Sequence, residues 1–334
     1  MLNAKTQNPW QVLALLRFLL AMIVVCGHLD SFAPGHPATF PGQFGGFAAV
    51  VGFLIISGYS IAHSIDRRPH GFYRRRVLRI YPLYAAAIFF ALTPFLIAHR
   101  RVINVGEFDP SFPRVRVFAQ NLLMLQNFTG NTLTCDPPLW TLPIEFAWYL
   151  TAPLLARMRR GALAAVAGFS AIAFFVFAQR AAAWNPNPKY GLGILFLGWA
   201  WVGGFFLYHN RRSATAGTFV VAITLLMTAF CGKPEEPWGP ATAVVAAVLV
   251  ILAPKISMPV WIAAACDFLG DVSYPLYLVH VPSMLVCHVC GIHNPWVLLI
   301  LSVASSAVFL GMDARLKQMI VSRRVSSDII PTPA

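Results

Sequence analysis

The sequence predicts an all-α, polytopic membrane protein: a bundle of about ten transmembrane helices with both termini in the cytoplasm. Three observations carry this expectation. Of 334 residues, 58% are hydrophobic and only 11% are charged, against about 25% charged in a soluble domain. Apolar runs suited to a hydrocarbon core of about 30 Å recur along the whole chain. The basic residues cluster in the short gaps between those runs, as loops at an anionic membrane surface do.

The runs lie at 10–30, 44–64, 80–98, 138–156, 161–179, 191–208, 215–231, 238–254, 272–291 and 295–313. Backbone polar groups in lipid must be satisfied within the segment, so each run is expected to be a helix. Between 99 and 137 the string "RVRVFAQNLLMLQNF" has apolar residues at 115, 118, 122 and 125. That helical period predicts an interfacial or re-entrant helix. Polar stretches are too short for a soluble domain. One domain is therefore expected over 1–325, followed by a disordered tail, 326–334. The first run does not read as a cleaved signal peptide, because Arg17 interrupts it and no small-x-small site follows. The inverted repeat symmetry of many transporters is not visible.

Orientation follows from lysine and arginine placement. With the N-terminus inside, the inner side holds Lys5, six arginines between 67 and 79, Arg157, Arg159, Arg160, Arg211, Arg212, Lys255, Arg315, Lys317, Arg323 and Arg324. The outer side holds Arg100, Arg101, Arg114, Arg116, Arg180, Lys189 and Lys233. The imbalance favours cytoplasmic termini. The net charge of +13 does not point to nucleic acid, because the cations flank membrane spans. Six cysteines are scattered along the chain and imply no disulfide framework. "CHVCGIH" (287–293) has metal-ligand residue types but lacks a second pair of ligands, so no metal site is expected.

Ionisable groups in hydrocarbon cost about 2.5–3.5 kcal/mol each on insertion scales, so each asks for a partner or a task. Arg17 and His28 lie eleven residues apart in the first run. On a helix they share one face, about 16 Å apart along the axis. Of twelve acids only Glu145 falls well inside a span, in "PPLWTLPIEFAWYL". In "DVSYPLYLVHVP", Ser273, Tyr277 and His280 share a helical face. "LIISGY" brings Ser57 and Tyr59 to the inner half of the second span, and "FYRRRVLRIYPLY" opens the third with Arg76 and Arg79 on one face. Depth counting puts Arg17, Arg76 and Arg79 toward the cytoplasmic mouth. It puts His28 and Glu145 together nearer the outer face. That polarity suits an anionic donor on one side and an acceptor on the other. Each group also has a plain structural reading: membrane-flanking anchors for the arginines, helix–helix hydrogen bonds for His280 and Glu145, an interfacial end residue for His28. Trp140 reads most simply as a belt residue.

Together these strings resemble acyltransferase family 3, the integral membrane acyltransferases. The resemblance is carried by Arg17–ten residues–His28, by Ser57-Gly58-Tyr59, and by Arg76-x-x-Arg79 before "IYPLY". It is carried further by Trp140-Thr141-Leu142-x-x-Glu145 and by "SYPLYLVH" with Ser273, Tyr277 and His280. It covers nearly the whole chain in its stand-alone form. It implies O-acylation, usually O-acetylation, of a glycan or glycolipid such as an exopolysaccharide, O-antigen or lipo-oligosaccharide, at the inner (cytoplasmic) membrane. The donor substrate would be acetyl-CoA or another short acyl-CoA, with no permanently bound cofactor.

In that reading His28 is the general base, and Glu145 orients its imidazole as the acid does in a triad. A covalent acyl-histidine relay is a variant. Arg76 and Arg79, supported by Arg75 and Arg17, hold the donor phosphates, for which guanidinium forks are suited. Ser57, Tyr59, Trp140, Thr141, Tyr277 and His280 contribute to the substrate pocket. The implied partners are the acceptor, acyl-CoA and the bilayer, with self-association left open and no nucleic acid. The rival class is a transporter or flippase of a lipid-linked glycan, which would also place ionisable groups in the membrane. A non-catalytic subunit of a polysaccharide complex is a third.

Overall fold

The structure, a computed structural model, describes residues 5–6, 8–106, 108–178, 190–230 and 235–327. It is built from helices. The sole sheet among the described residues is a two-residue antiparallel pairing of Lys5–Thr6 with Met258–Pro259. The helices are α1 (Pro9–Leu29), α2 (Gly46–Arg67), α3 (Phe72–Phe90), α4 (Thr93–Ala98), α5 (Val115–Leu122), α6 (Gln126–Thr129) and α7 (Thr141–Leu155). They continue with α8 (Arg160–Ala178), α9 (Leu192–His209), α10 (Ala214–Phe230), α11 (Gly239–Leu252), α12 (Val260–Val289) and α13 (Pro295–Ser327).

Each apolar run coincides with a helix. Among the described residues seven helical segments are long and apolar enough to cross a membrane, while α10 and α11 are shorter apolar helices. Large apolar side chains cover the outside of the bundle: Phe169, Ile300 and Val308 are each about two-thirds exposed. A water-facing surface would not carry such a coat. The chain is a multi-pass membrane protein.

Three boundaries differ from the apolar runs. The helix expected at 80–98 begins at Phe72 and breaks after Phe90. Pro94 has no N–H to give the Phe90 carbonyl four residues back, and its ring would clash there; Thr93 Oγ1 donates to that carbonyl instead, at 2.7 Å. The run at 272–291 is the second half of a 30-residue helix that starts at Val260. Its first turns carry Asp267 and Asp271 and are largely exposed. Hydropathy marks where a helix leaves the apolar layer, whereas its hydrogen-bond ladder continues. For the same reason α13 runs on to Ser327. The tail expected to be disordered lies outside the described residues from 328 onward.

The amphipathic stretch in the 99–137 loop is α5 followed by α6. Val115 points outward, 86% exposed, while Asn121 is fully buried. Asn121 Nδ2 donates to the carbonyls of Val117 and Asn131, and its Oδ1 accepts from Leu133 N–H. Tyr84 Oη donates to the Asn121 carbonyl at 2.6 Å. The loop is thus pinned over α3 by hydrogen bonds, and Phe118 and Leu122 of its apolar side pack against the core, Phe118 with its ring centroid 5.4 Å from that of Phe89.

Start signals are ordinary. Asn8 caps α1 by accepting from Trp10 N–H, with Pro9 in the first turn. The core is set by two close helix pairs. Leu20 of α1 sits on Gly52 of α2, and Arg17 of α1 reaches Ser60 of α2, so these helices run antiparallel. Ala14 of α1 sits on Gly270 of α12. α2 meets α9 through glycines on both sides. A Cβ on Gly58 would lie 1.9 Å from the Trp201 carbonyl oxygen, and one on Gly204 would lie 2.0 Å from that of Ile55. In lipid, where no hydrophobic effect drives helices together, such close approach is a main source of association.

The glycines generate a prediction. Gly58→Ala and Gly204→Ala should each lower the melting temperature of the detergent-solubilised protein, with a destabilisation above the ~1–3 kcal/mol typical of core overpacking. Gly161→Ala, which meets nothing within 4 Å, is the matched control. Unchanged melting of both helix-contact variants would refute this account of the α2–α9 contact.

Candidate active site

The α2–α9 contact places Ser57 beside Trp201, whose indole Nε1–H donates to Ser57 Oγ at 3.2 Å. Ser57 Oγ in turn donates to Glu145 Oε1, and Tyr149 Oη donates to the same oxygen. Glu145 and Tyr149 are i, i+4 neighbours on α7, so one helical face presents both. Trp148 stacks on Trp201, with ring centroids 5.6 Å apart and planes 15° from parallel. A half-buried carboxylate is thereby held by groups from α2 and α7, with α9 behind them.

This hub borders a cavity of about 130 Å³. Arg17, Arg76 and Arg79 line one end, Ser57, Glu145 and Tyr149 the middle, and Thr141, Ser273 and Tyr277 the other. Tyr277 Oη bonds Thr141 Oγ1 at 2.9 Å and the Pro138 carbonyl at 3.1 Å, which closes that end between α12 and α7.

Past the arginines lies a second space, a vestibule of about 420 Å³ at the N-terminal end of α1. Arg17, Arg67, Arg68, Arg75, Arg76 and Arg79 line it, with Trp10, Ser60, His63 and Ser64. Arg17, Ser60, Arg76 and Arg79 border both spaces, so the two adjoin across these side chains. Among the described residues the vestibule wall carries no carboxylate. Arg17 donates to Ser60 Oγ at 2.8 Å and Arg76 to Ser64 Oγ at 2.7 Å. Arg75 donates to the carbonyls of His70 and Arg68. The buried Nε of Arg76 has no hydrogen-bond partner. Neutral oxygens orient these guanidinium groups but do not cancel their charge. Glu145 is within electrostatic range of Arg17 and Arg76.

His28 lies elsewhere. It is half-buried near the far end of α1, and its ring meets that of His280, centroids 5.1 Å apart. His280 is fully buried. The expected meeting of His28 with Glu145 is not made: the hydrogen bonds of Glu145 go to Ser57 and Tyr149. The depth count is the source of the difference. Leu20 is level with Gly52, so Ser57 lies five residues toward the vestibule from that level and His28 eight residues away from it. At 1.5 Å per residue the separation is roughly 20 Å along the bundle. Glu145 shares the level of Arg17.

The four arginines expected at the donor site do converge on one space. Ser57, Thr141 and Tyr277 border the cavity as expected. Tyr59 does not line it; its ring packs against Trp10 and Tyr208, at centroid distances of 6.3 and 5.4 Å. Trp140 does not line it either; it precedes α7, with its carbonyl accepting from Asn127 Nδ2 at 2.5 Å. His280 lies one turn beyond Tyr277, ring centroids 6.3 Å apart.

Sequence reading missed Tyr149, Trp201, Ser60 and Ser64, since apolar runs are full of tyrosines, tryptophans and serines that do nothing polar. It also missed Asp136, counted among the loop acids. Asp136 is fully buried, and neither carboxylate oxygen has a hydrogen-bond partner.

The comparisons with known proteins bear on the class. The family model Acyl_transf_3, described as "Acyltransferase domain", matches residues 11–312. The chain belongs to this family. Among curated proteins, "Acyltransferase MdmB" of Streptomyces mycarofaciens is 33% identical over 123 residues, covering 34% of this chain and 30% of that relative's length. No solved structure gives a significant match.

Asp136 provides a pH prediction. Burial raises its carboxyl pKa well above the usual carboxylate range. The folded state then keeps a proton that the unfolded chain releases, so Asp136 lowers stability as pH rises from the acidic range toward neutrality. Asp136→Asn should melt higher than the wild type at neutral pH, with the gap closing in acid. A gap that instead widened as pH fell would reverse the sign and defeat the assignment.

Proposed function

We propose that the chain moves a short acyl group, most simply acetyl, from acyl-CoA at the cytoplasmic face to a hydroxyl of a glycan or glycolipid at the opposite face of the inner membrane. One observation carries this reading: a vestibule walled by six guanidinium groups, leading into a cavity through Arg17, Arg76 and Arg79. A polyanionic donor supplies the charge those groups lack, and arginine forks grip phosphate bidentately. Trp10 and His63, ring centroids 4.6 Å apart, add an aromatic wall beside the cations. A long thin arm carrying the thioester then enters the cavity.

Glu145 has a different task from the one its motif suggests. It holds Ser57 and Tyr149 and offsets the charge of Arg17 and Arg76 along the path of the arm. His28 is the general base. As the alcohol oxygen bonds to the thioester carbonyl carbon, the alcohol proton passes to the imidazole. When the carbon–sulfur bond breaks, that proton goes to the departing thiolate. Tyr277, which borders the cavity and contacts His280, marks the passage the acyl group takes to reach His28. In this arrangement about ten helices span the membrane, with both termini inside.

Membranes containing the protein, supplied with radiolabelled acetyl-CoA and surface glycan, should place base-labile label on the glycan. His28→Ala should abolish transfer, with the protein still inserted and folded. Arg76→Ala should raise KM for acyl-CoA by about 10–100-fold, the loss of one or two charge-assisted hydrogen bonds, with a smaller change in kcat. Normal transfer by His28→Ala would remove the base assignment. Glycan moved across the membrane without gaining ester would replace acylation by transport.

A further inference from the structure

The two histidines fix each other's protonation pattern. His280 Nδ1 lies 3.0 Å from the Leu276 carbonyl oxygen. A carbonyl can only accept, so the proton of a neutral His280 ring is on Nδ1 and its Nε2 carries a lone pair. That Nε2 lies 3.2 Å from His28 Nδ1. His28 Nδ1 also lies 3.0 Å from the Val24 carbonyl oxygen. It therefore faces two acceptors at once and must carry the hydrogen. The lone pair of His28 is left on Nε2.

We infer that His280 is a positioning residue that holds His28 in the Nδ1–H tautomer and leaves Nε2 as the basic atom, with the His280 Nε2 lone pair taking the place that a carboxylate occupies in a catalytic triad. The chain of bonds runs from His28 Nδ1–H to His280 Nε2, and from His280 Nδ1–H to the carbonyl of Leu276 on its own helix. It has a chemical consequence. When His28 takes a proton on Nε2, the imidazolium keeps Nδ1–H directed at two acceptors, the Val24 carbonyl and His280 Nε2. The partner is neutral, so the resting pair carries no charge among its apolar neighbours, where an unpaired carboxylate would be costly, and the protonated pair carries a single positive charge held by these two acceptors.

The fold dedicates two surfaces to the pair. His280 is fully buried, and its own carbonyl accepts from Ser302 Oγ of α13 at 3.5 Å. Gly27, the neighbour of His28, meets Gly42 closely: a Cβ on Gly42 would lie 2.8 Å from Gly27 Cα. The backbone on either side of the imidazole pair is thus packed.

The test uses the full chain in lipid nanodiscs with ¹⁵N-labelled histidine, and His28→Ala supplies the assignment. In the wild type, His28 should show a protonated Nδ1 and a bare Nε2. A His28 signal with the proton on Nε2 overturns the inference, whatever the activity. His280→Leu leaves only the Val24 carbonyl facing His28 Nδ1, so an Nε2–H population of His28 should appear beside the remaining Nδ1–H form, and kcat should fall by about 10–100-fold, within the range of a general-base contribution, with KM for acyl-CoA unchanged. His280→Gln retains an acceptor near the position of Nε2 and should recover most of kcat and the Nδ1–H tautomer. Wild-type kcat and tautomer in both variants would refute the positioning role. If His280→Leu fails to fold, the wild-type spectrum and the glutamine variant still decide. Only the rate measurement rests on the acyl-transfer reading. If the wild type acylates nothing, that reading fails while the tautomer measurement still stands or falls on its own.

Discussion

A polar group inside an apolar bundle must find its partners there, and the hydrogen bonds to Glu145 show what that requires. Its Oε1 accepts from Ser57 and Tyr149, and Ser57 accepts from the Trp201 indole. The indole bond forms because α9 lies close against α2, and α9 lies close because Gly58 and Gly204 present no side chain at the contact. The serine and the glycine of one short motif therefore have separate physical duties. Gly58 admits the neighbouring backbone, and Ser57 uses the proximity to bind the carboxylate. A helix contact made for packing thus becomes the wall of the cavity.

The second organising feature is uncompensated charge at one mouth. Arginines anchor loops in most membrane proteins, but here several turn inward and share one space with hydroxyl and carbonyl partners. A carboxylate beside each would stabilise the empty protein more and would compete with an anionic ligand. Hydroxyls orient the forks and leave the charge available. The surrounding apolar helices keep the local dielectric low and strengthen the field at the passage into the cavity. At the far end the character changes: two imidazoles and two backbone carbonyls meet there as hydrogen-bond partners.

Much of this was legible in the residues. The apolar runs marked helical segments, seven of them long and apolar enough among the described residues to span a membrane, and the arginines of the vestibule stood together in one short hydrophilic stretch with Arg17 a helix away. What failed was the pairing. His28 and Glu145 looked level when spans were counted from their apolar ends. The true register is set by which small residue each side chain packs on, Leu20 against Gly52 in this case, and hydropathy does not encode that. The partner of His28 proved to be His280, a residue visible in a motif but without any sequence signal tying it to α1. Asp136 was missed because a buried loop acid and an exposed one read alike.

By itself the sequence determined the class of structure and the kinds of groups available. Composition excludes a water-facing core, hydrocarbon demands helices, and spacing along one helix settles which residues share a face. Only the tertiary structure decided which faces meet, hence that Glu145 joins Ser57 and Tyr149, that six guanidinium groups line one vestibule, and that two histidines close on each other. The reason is physical. Periodicity is a property of one helix and is written locally, whereas a contact between helices depends on the fit of two surfaces and on the rise and tilt that fit imposes.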